Sequence, residues 1–352
     1  MSTSTRHSRQ NIGWAEEGTE NTSPLADVAT TKYFHFGPVT MTPGMLPSYE
    51  KIWIPYHNGG SIEPDELVVV NKKITETLGF VMTNGLMDYY LYGDVTNSGA
   101  GDPEQLHTMS FHDFPLTFTV RWESGYGTAA TVLKREITGS KIQSRVINWD
   151  FSAEGNPVTM AITIEGRGYG VALDNAQIAA PVHAKSQSST LDLAFFKGKS
   201  TSEVIEWDST TKGSAIDWSN ILLKCILTSA RFHKRTKYSA NTTTSEIHMG
   251  KVAHSVEFVV LRDTIASHTT NFLADFEADN TSGGDDLQIK LYSDSTRYMD
   301  IDMQGVSLSQ AKPNYARIED NEIPVWECVG TVKKVVPAYL DGCLNAKYTD
   351  QA

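Results

Sequence analysis

Apolar and polar side chains alternate without a slip through Pro157-Val158-Thr159-Met160-Ala161-Ile162-Thr163-Ile164-Glu165-Gly166. Val158, Met160, Ile162 and Ile164 share one face and Thr159, Ala161, Thr163 and Glu165 the other, which is the period of a strand with one dry and one wet side. Residues 142–151 form a long strand pattern just before it, and Glu154-Gly155-Asn156-Pro157 supplies the turn between them, so this stretch predicts a hairpin. Leu116, Phe118, Val120 and Trp122 alternate in the same way with Thr117, Thr119, Arg121 and Glu123. Leu67-Val68-Val69-Val70 reads as a buried strand. Ile74, Leu78, Val81 and Met82 then fall at i, i+4, i+7 and i+8, which predicts an amphipathic helix stopped by Asn84-Gly85. Gly79 inside that helix costs it about 1 kcal/mol.

The second half replays this plan. Strands are expected over 191–196 and 225–232, and His254, Val256, Phe258 and Val260 alternate with Ser255, Glu257 and Val259. A second helix is expected to carry Phe272, Leu273 and Phe276 on one face, with cap candidates in 267–270. Leu287, Ile289 and Leu291 alternate again. A closing hairpin pairs Tyr298-Met299-Asp300-Ile301-Asp302-Met303 with the stretch around Pro324-Val325-Trp326-Glu327-Cys328-Val329-Gly330. A unit repeated inside one chain suggests a duplicated building block. The expectation is therefore a mainly β protein of two similar β-barrel or sandwich domains, each with one packing helix. They would span 31–175 and 185–340, between an N-terminal arm (1–30) and a tail (341–352). Residues 171–190, rich in Ala, Ser and Gln, mark the boundary, and the arm has only Ile12 and Trp14 as anchors.

Charge narrows the range of partners. Lys and Arg number 30 against 42 Asp and Glu, a net charge of −12. Such a surface does not hold a phosphate backbone, which needs clustered cations. The basic run Arg231-Phe232-His233-Lys234-Arg235-Thr236-Lys237 fits an acidic surface on a neighbouring subunit better than nucleic acid. Met1 to Asn11 is polar, without the apolar run of a secretory signal, and no stretch is long and apolar enough for a membrane span. Cys225, Cys328 and Cys343 share no metal-binding spacing and read as reduced thiols.

Candidate chemistry stays thin. His107 and His112 lack a third ligand at zinc spacing. Asp94-Val95-Thr96-Asn97-Ser98-Gly99 begins like a calcium loop, but Gln105 stands where the bidentate Glu belongs, and a turn is the better reading. Gly166-Arg167-Gly168-Tyr169-Gly170 follows a strand as a phosphate loop would, yet neither Lys-Ser/Thr nor a helix start comes after it. Asp300 and Asp302 share a strand face without a visible cleft. No catalytic residue, metal ligand or cofactor site is expected, and the chain is read as a non-enzyme.

Two stretches carry a family likeness. Gly13-Trp14-Ala15-Glu16-Glu17-Gly18-Thr19-Glu20-Asn21-Thr22 resembles the arm that opens many tail tube proteins of tailed bacterial and archaeal viruses. Thr138-Gly139-Ser140-Lys141-Ile142-Gln143-Ser144, through Glu154-Gly155-Asn156-Pro157-Val158 to Glu165-Gly166, resembles the hairpin of that family. The shared features are a glycine and a small residue at the start, a long strand, a glycine turn and a strictly alternating return. The likeness covers roughly residues 10–340. It departs from the family in the Pro-rich 38–64 segment and in lacking a clean glycine opening before the second hairpin.

The resemblance implies a virion protein, assembled in the host cytoplasm, whose copies stack as rings into the tail tube. The viral genome would pass down its lumen without sequence-specific binding. Its partners would be itself and other tail proteins, and the duplicated plan suggests a trimeric ring of pseudo-sixfold symmetry. Asp300, Asp302, Glu165 and Thr163 are the expected lumen-facing residues. Trp14, Glu16, Glu17, Arg231, Lys234, Arg235 and Lys237 are the expected inter-ring contacts. The competing classes are a β-sandwich adhesion or carbohydrate-binding module and a β-rich hydrolase.

Overall fold

A computed structural model describes residues 9–20, 22, 34–35, 39–41, 48–54, 66–98, 106–113, 116–125, 132–153, 155–174, 195–198, 203–208, 216–236, 246–262, 285–292, 298–318 and 321–340. In chain order the first elements are β1 (Arg9–Glu16), β2 (Phe34–His35), β3 (Val39–Met41), β4 (Ser48–Ile54), β5 (Glu66–Lys73) and β6 (Thr75–Val81). Helix α1 (Leu86–Tyr92) precedes β7 (Gly93–Ser98), β8 (Leu106–Phe111), β9 (Phe118–Gly125), β10 (Val132–Asp150), β11 (Thr159–Glu165) and β12 (Gly168–Asp174). The rest are β13 (Val204–Asp208), β14 (Ile216–Asp217), β15 (Leu222–Thr236), β16 (Glu246–Leu261), β17 (Asp285–Tyr292), β18 (Tyr298–Ile318) and β19 (Asn321–Leu340).

Every ladder is antiparallel. One wing of the sheet runs β2, β1, β9, β10, β12. The other runs β3, β6, β11, β10, β15, β16, β19, β18, β17, β13, β14, with β8 and β7 added at the end of β19. Strand β10 belongs to both wings: residues 132–140 pair with β9 and β12, and residues 141–150 with β11 and β15. Gly139 sits at the hand-over with φ 61°, a left-handed conformation that bends the strand without a Cβ penalty.

This arrangement corrects the expectation of two β-barrel domains. Among the described residues no ladder leads from β14 or β12 back to β2 or β3, so these strands form one large open sheet, while β4 and β5 pair only with each other. The reason lies in β10. The alternating hairpin leaves its second edge unpaired, and β15, from the second half of the chain, fills that edge directly. Trp14, Trp149 and Ile162 therefore lie in one apolar core with Trp207, Phe258 and Met303.

The first hairpin stands as its pattern requires. Val158, Met160, Ile162 and Ile164 are all buried, and Gly155 takes φ 81° in the turn. The helix expected over 74–82 is instead strand β6, paired with β11 on one side and β3 on the other. Leu78 and Phe80 within it and Ile74 and Met82 at its two ends are buried, a period of two that the polar Glu76 interrupts. The helix lies just beyond, at α1, and Gly85 is its N-cap rather than a stop. All of its residues are buried, so it has no polar face to give it a helical period. The second expected helix and residues 191–194 lie outside the described residues.

The described part of the expected N-terminal arm is a strand of the sheet. Strand β1 pairs along its whole length with β9, and Trp14 packs edge-on against Tyr90 (5.0 Å between ring centroids) and Phe118 (6.1 Å). Glu17 accepts hydrogen bonds from Thr117 Oγ1 (2.8 Å), Thr119 Oγ1 (2.6 Å) and the Gly139 backbone N–H (2.8 Å). That carboxylate clasps the bend in β10. The first described strand is thus part of the core, with Ile12 and Trp14 buried in it.

Candidate functional site: a buried charge network beneath a basic cleft

Asp88 and Arg145 are both 0% exposed, and their charges meet inside the core, Arg145 Nη1 lying 2.5 Å from Asp88 Oδ1. Asp88 comes from the first turn of α1. Arg145 comes from β10, where a bulge between Ile142 and Ser144 shifts the buried positions from Ile142 to Arg145, Ile147 and Trp149. Tyr339 of β19 donates its hydroxyl to Asp88 Oδ2 at 2.5 Å, and Arg145 Nη2 donates to Ser229 Oγ of β15 at 3.0 Å. Burial opposes the Arg145 charge, but Asp88, Tyr92 and Tyr339 outweigh it and raise its pKa further, so the guanidinium stays ionised. Burial, together with Asp88, pushes the Tyr339 hydroxyl well above its ordinary value. The network joins α1, β10, β15 and β19, tying the helix to three strands of the sheet.

It leads outward through His254 of β16, whose Nδ1 lies 2.9 Å from Ser229 Oγ. Burial first, and the Arg145 charge second, lower the His254 pKa to about 4, so the imidazole is neutral at pH 7. Above it Phe111 stacks on Tyr92 at 4.2 Å and leans towards His254 at 5.9 Å. Phe111 and His254 floor an open cleft of about 520 Å³ lined also by Asp113, Arg231, Met249, Gly250, Lys251, Val252, Lys333 and Lys334. Arg231 is fixed in its wall by donating to the carbonyls of Leu91 (3.0 Å), His112 (2.6 Å) and Gly250 (3.3 Å).

The residues singled out from the sequence are not gathered here, with the exception of Arg231. Asp300 and Asp302 stand half-buried on β18. Gln288 Nε2 donates to both oxygens of Asp300 (2.9 and 3.0 Å), and Gln304 Nε2 donates to Asp302 Oδ2 (2.6 Å). Burial raises both carboxyl pKa values, and for Asp302 the neighbouring Asp286 and Asp300 raise it further. Thr163 Oγ1 lies 3.2 Å from Thr77 Oγ1 on the next strand. Glu165 is buried and meets His233 Nε2, so it does not line a wet face of the single chain. Glu16 accepts from the Tyr90 hydroxyl at 2.6 Å. Trp14, Glu17 and Arg231 are buried in the single chain. Lys234 and Arg235 lie in β15, opposite His248 and Ile247. Their side chains, and the whole of Lys237, lie outside the described residues.

Other motifs resolve into plain structure. Residues 94–98 belong to β7 rather than a turn, and His107 bonds Asn97 Oδ1 across the β7–β8 ladder at 2.7 Å. Gly168 opens strand β12. Cys225 and Cys328 are buried free thiols. Burial raises both, and Cys328, with Glu327 beside it, reaches about 12. Among the described residues no group of three or more His, Cys, Asp or Glu could hold a metal ion, and no helix is long and apolar enough to cross a membrane. Asp88, Arg145, Tyr339 and His254 were not legible as a site. The available signal was a charge, Arg145, on the strand face that otherwise buries Ile142, Ile147 and Trp149. No protein-family model matches this sequence, and comparison with curated proteins finds no match.

Proposed function

We propose that this chain is a structural protein that associates with copies of itself, and that its assembly is a viral tail tube through which a genome passes. The observation that carries the reading is the free edge of β18. From 298 to 306 that strand lies between β17 and β19, but over residues 309–318 its only ladder partner among the described residues is β19. An unpaired edge of this length templates pairing with another chain unless it is covered. Tyr315, 65% exposed on that ribbon, and Phe232, 66% exposed on β15, add apolar surface that a neighbouring copy would cover. The net charge of −12 suits a wall that must not retain DNA, and Asp300 with Asp302 remains the candidate lining.

Negative-stain microscopy of the purified protein at rising concentration tests this reading, with rings or tubes expected. A single-chain mass at every concentration, by light scattering, would refute it. The number of chains per ring is read from the same images.

A further inference from the structure

The chain as a whole is acidic, yet the cleft above His254 gathers Arg231, Lys251, Lys333 and Lys334, with Asp113 the single acid among its lining residues. No sequence run announces this cluster. Arg231 comes from β15, Lys251 from β16 and the lysine pair from β19, and the ladders β15–β16 and β16–β19 bring them together. In a regular strand one of two consecutive lysines would point into the core. Here both are exposed, because the buried positions of β19 change from Cys328, Gly330 and Val332 to Val335 and Tyr339 between them. Strand β18 makes the matching change at Gly305, φ 65°, from Ile301 and Met303 to Val306. The fold thus turns two successive ammonium groups outward at one spot.

The remaining features suit a ligand. Arg231 is pre-positioned by three backbone carbonyls, whereas the lysines bring point charges on flexible stems. Asp113 beside Arg231 and Asp302 beside Lys334 offset only part of the repulsion among the four cations, and a bound anion relieves the rest. Phe111, 41% exposed, offers an aromatic wall beside them. The volume of about 520 Å³ suits a small molecule rather than a single ion.

We propose that this cleft binds a small phosphorylated ligand carrying at least two phosphate charges, the phosphoryl groups on Lys251, Lys333 and Lys334 and any aromatic portion beside Phe111. The proposal is independent of tube formation. Isothermal titration of the full chain with pyrophosphate, ADP and adenosine, at 0.15 M salt, tests it. Pyrophosphate and ADP are expected to bind and adenosine not to. Tighter binding of ADP than of pyrophosphate would mark a nucleotide as the source of the phosphates, and equal binding an inorganic one. Lys333→Ala with Lys334→Ala should weaken binding about tenfold or more, which is roughly 1.4 kcal/mol, at an unchanged unfolding midpoint. Lys224→Ala with Lys312→Ala, outside the cleft, should change nothing. The NMR signals of the His254 ring should shift on titration, placing the ligand at this floor. Binding equally weakened by both lysine pairs, a silent His254, or affinity for DNA without affinity for pyrophosphate would overturn the proposal.

Discussion

Arg145 and Asp88 lie wholly out of water, and each is tolerable there only because of the other. Removing one partner of such a pair strands a charge, which costs about 3–5 kcal/mol, whereas replacing both by apolar groups is far milder. Arg145→Met should therefore lower stability by about that amount, and Asp88→Leu added to it should restore part of the loss. Guanidinium chloride midpoints of the three proteins check this. His254 makes a pH prediction. Its folded pKa, about 4, lies below the ordinary 6.5, so the unfolded chain binds its proton first as the solution is acidified. The stability held above pH 6.5 should then drain away between about pH 6.5 and 4, by on the order of 3 kcal/mol. Urea unfolding at pH 7 and pH 4.5 should show that slope in the native chain and a flatter one in His254→Gln.

At the scale of elements, β1 decides what the arm is. Because Trp14 and Glu17 complete the core and the β10 bend, deleting residues 1–20 should leave aggregated or unfolded protein, where an appendage could be removed without loss of fold. Solubility and circular dichroism of the truncated chain distinguish the two. Gly85→Ala should also destabilise, because an added Cβ would run into the buried ring of Tyr339. The strands that follow strict alternation, β11, β16 and β17, were legible in the sequence, since a half-buried strand writes its period directly into side-chain polarity. Strand β6 and α1 were not. Glu76 breaks the one pattern, and complete burial erases the other. The buried network was illegible for a different reason: Asp88, Arg145 and Tyr339 become neighbours only through pairings between distant strands, and periodicity contains no information about register. The same limit hid the cleft, whose cations come from three strands.

At the scale of the whole molecule, the proposed assembly uses the edge of β18 beyond residue 308. Lysine on an edge strand discourages pairing with another chain. Tyr315→Lys should therefore keep the chain folded while abolishing rings or tubes, as seen by electron microscopy beside a thermal melt. Assembly unchanged by the substitution would remove β18 as the joining edge. The Tyr339–Asp88 hydrogen bond spans 251 positions of sequence, and this has a consequence in time. At about 5–20 residues per second, a ribosome delivers Tyr339 roughly 10–50 s after Asp88. Throughout that interval α1 lacks the ring that packs on Gly85 and the hydroxyl that completes its carboxylate. The nascent first half then waits, with this contact unmade, for β19 to emerge.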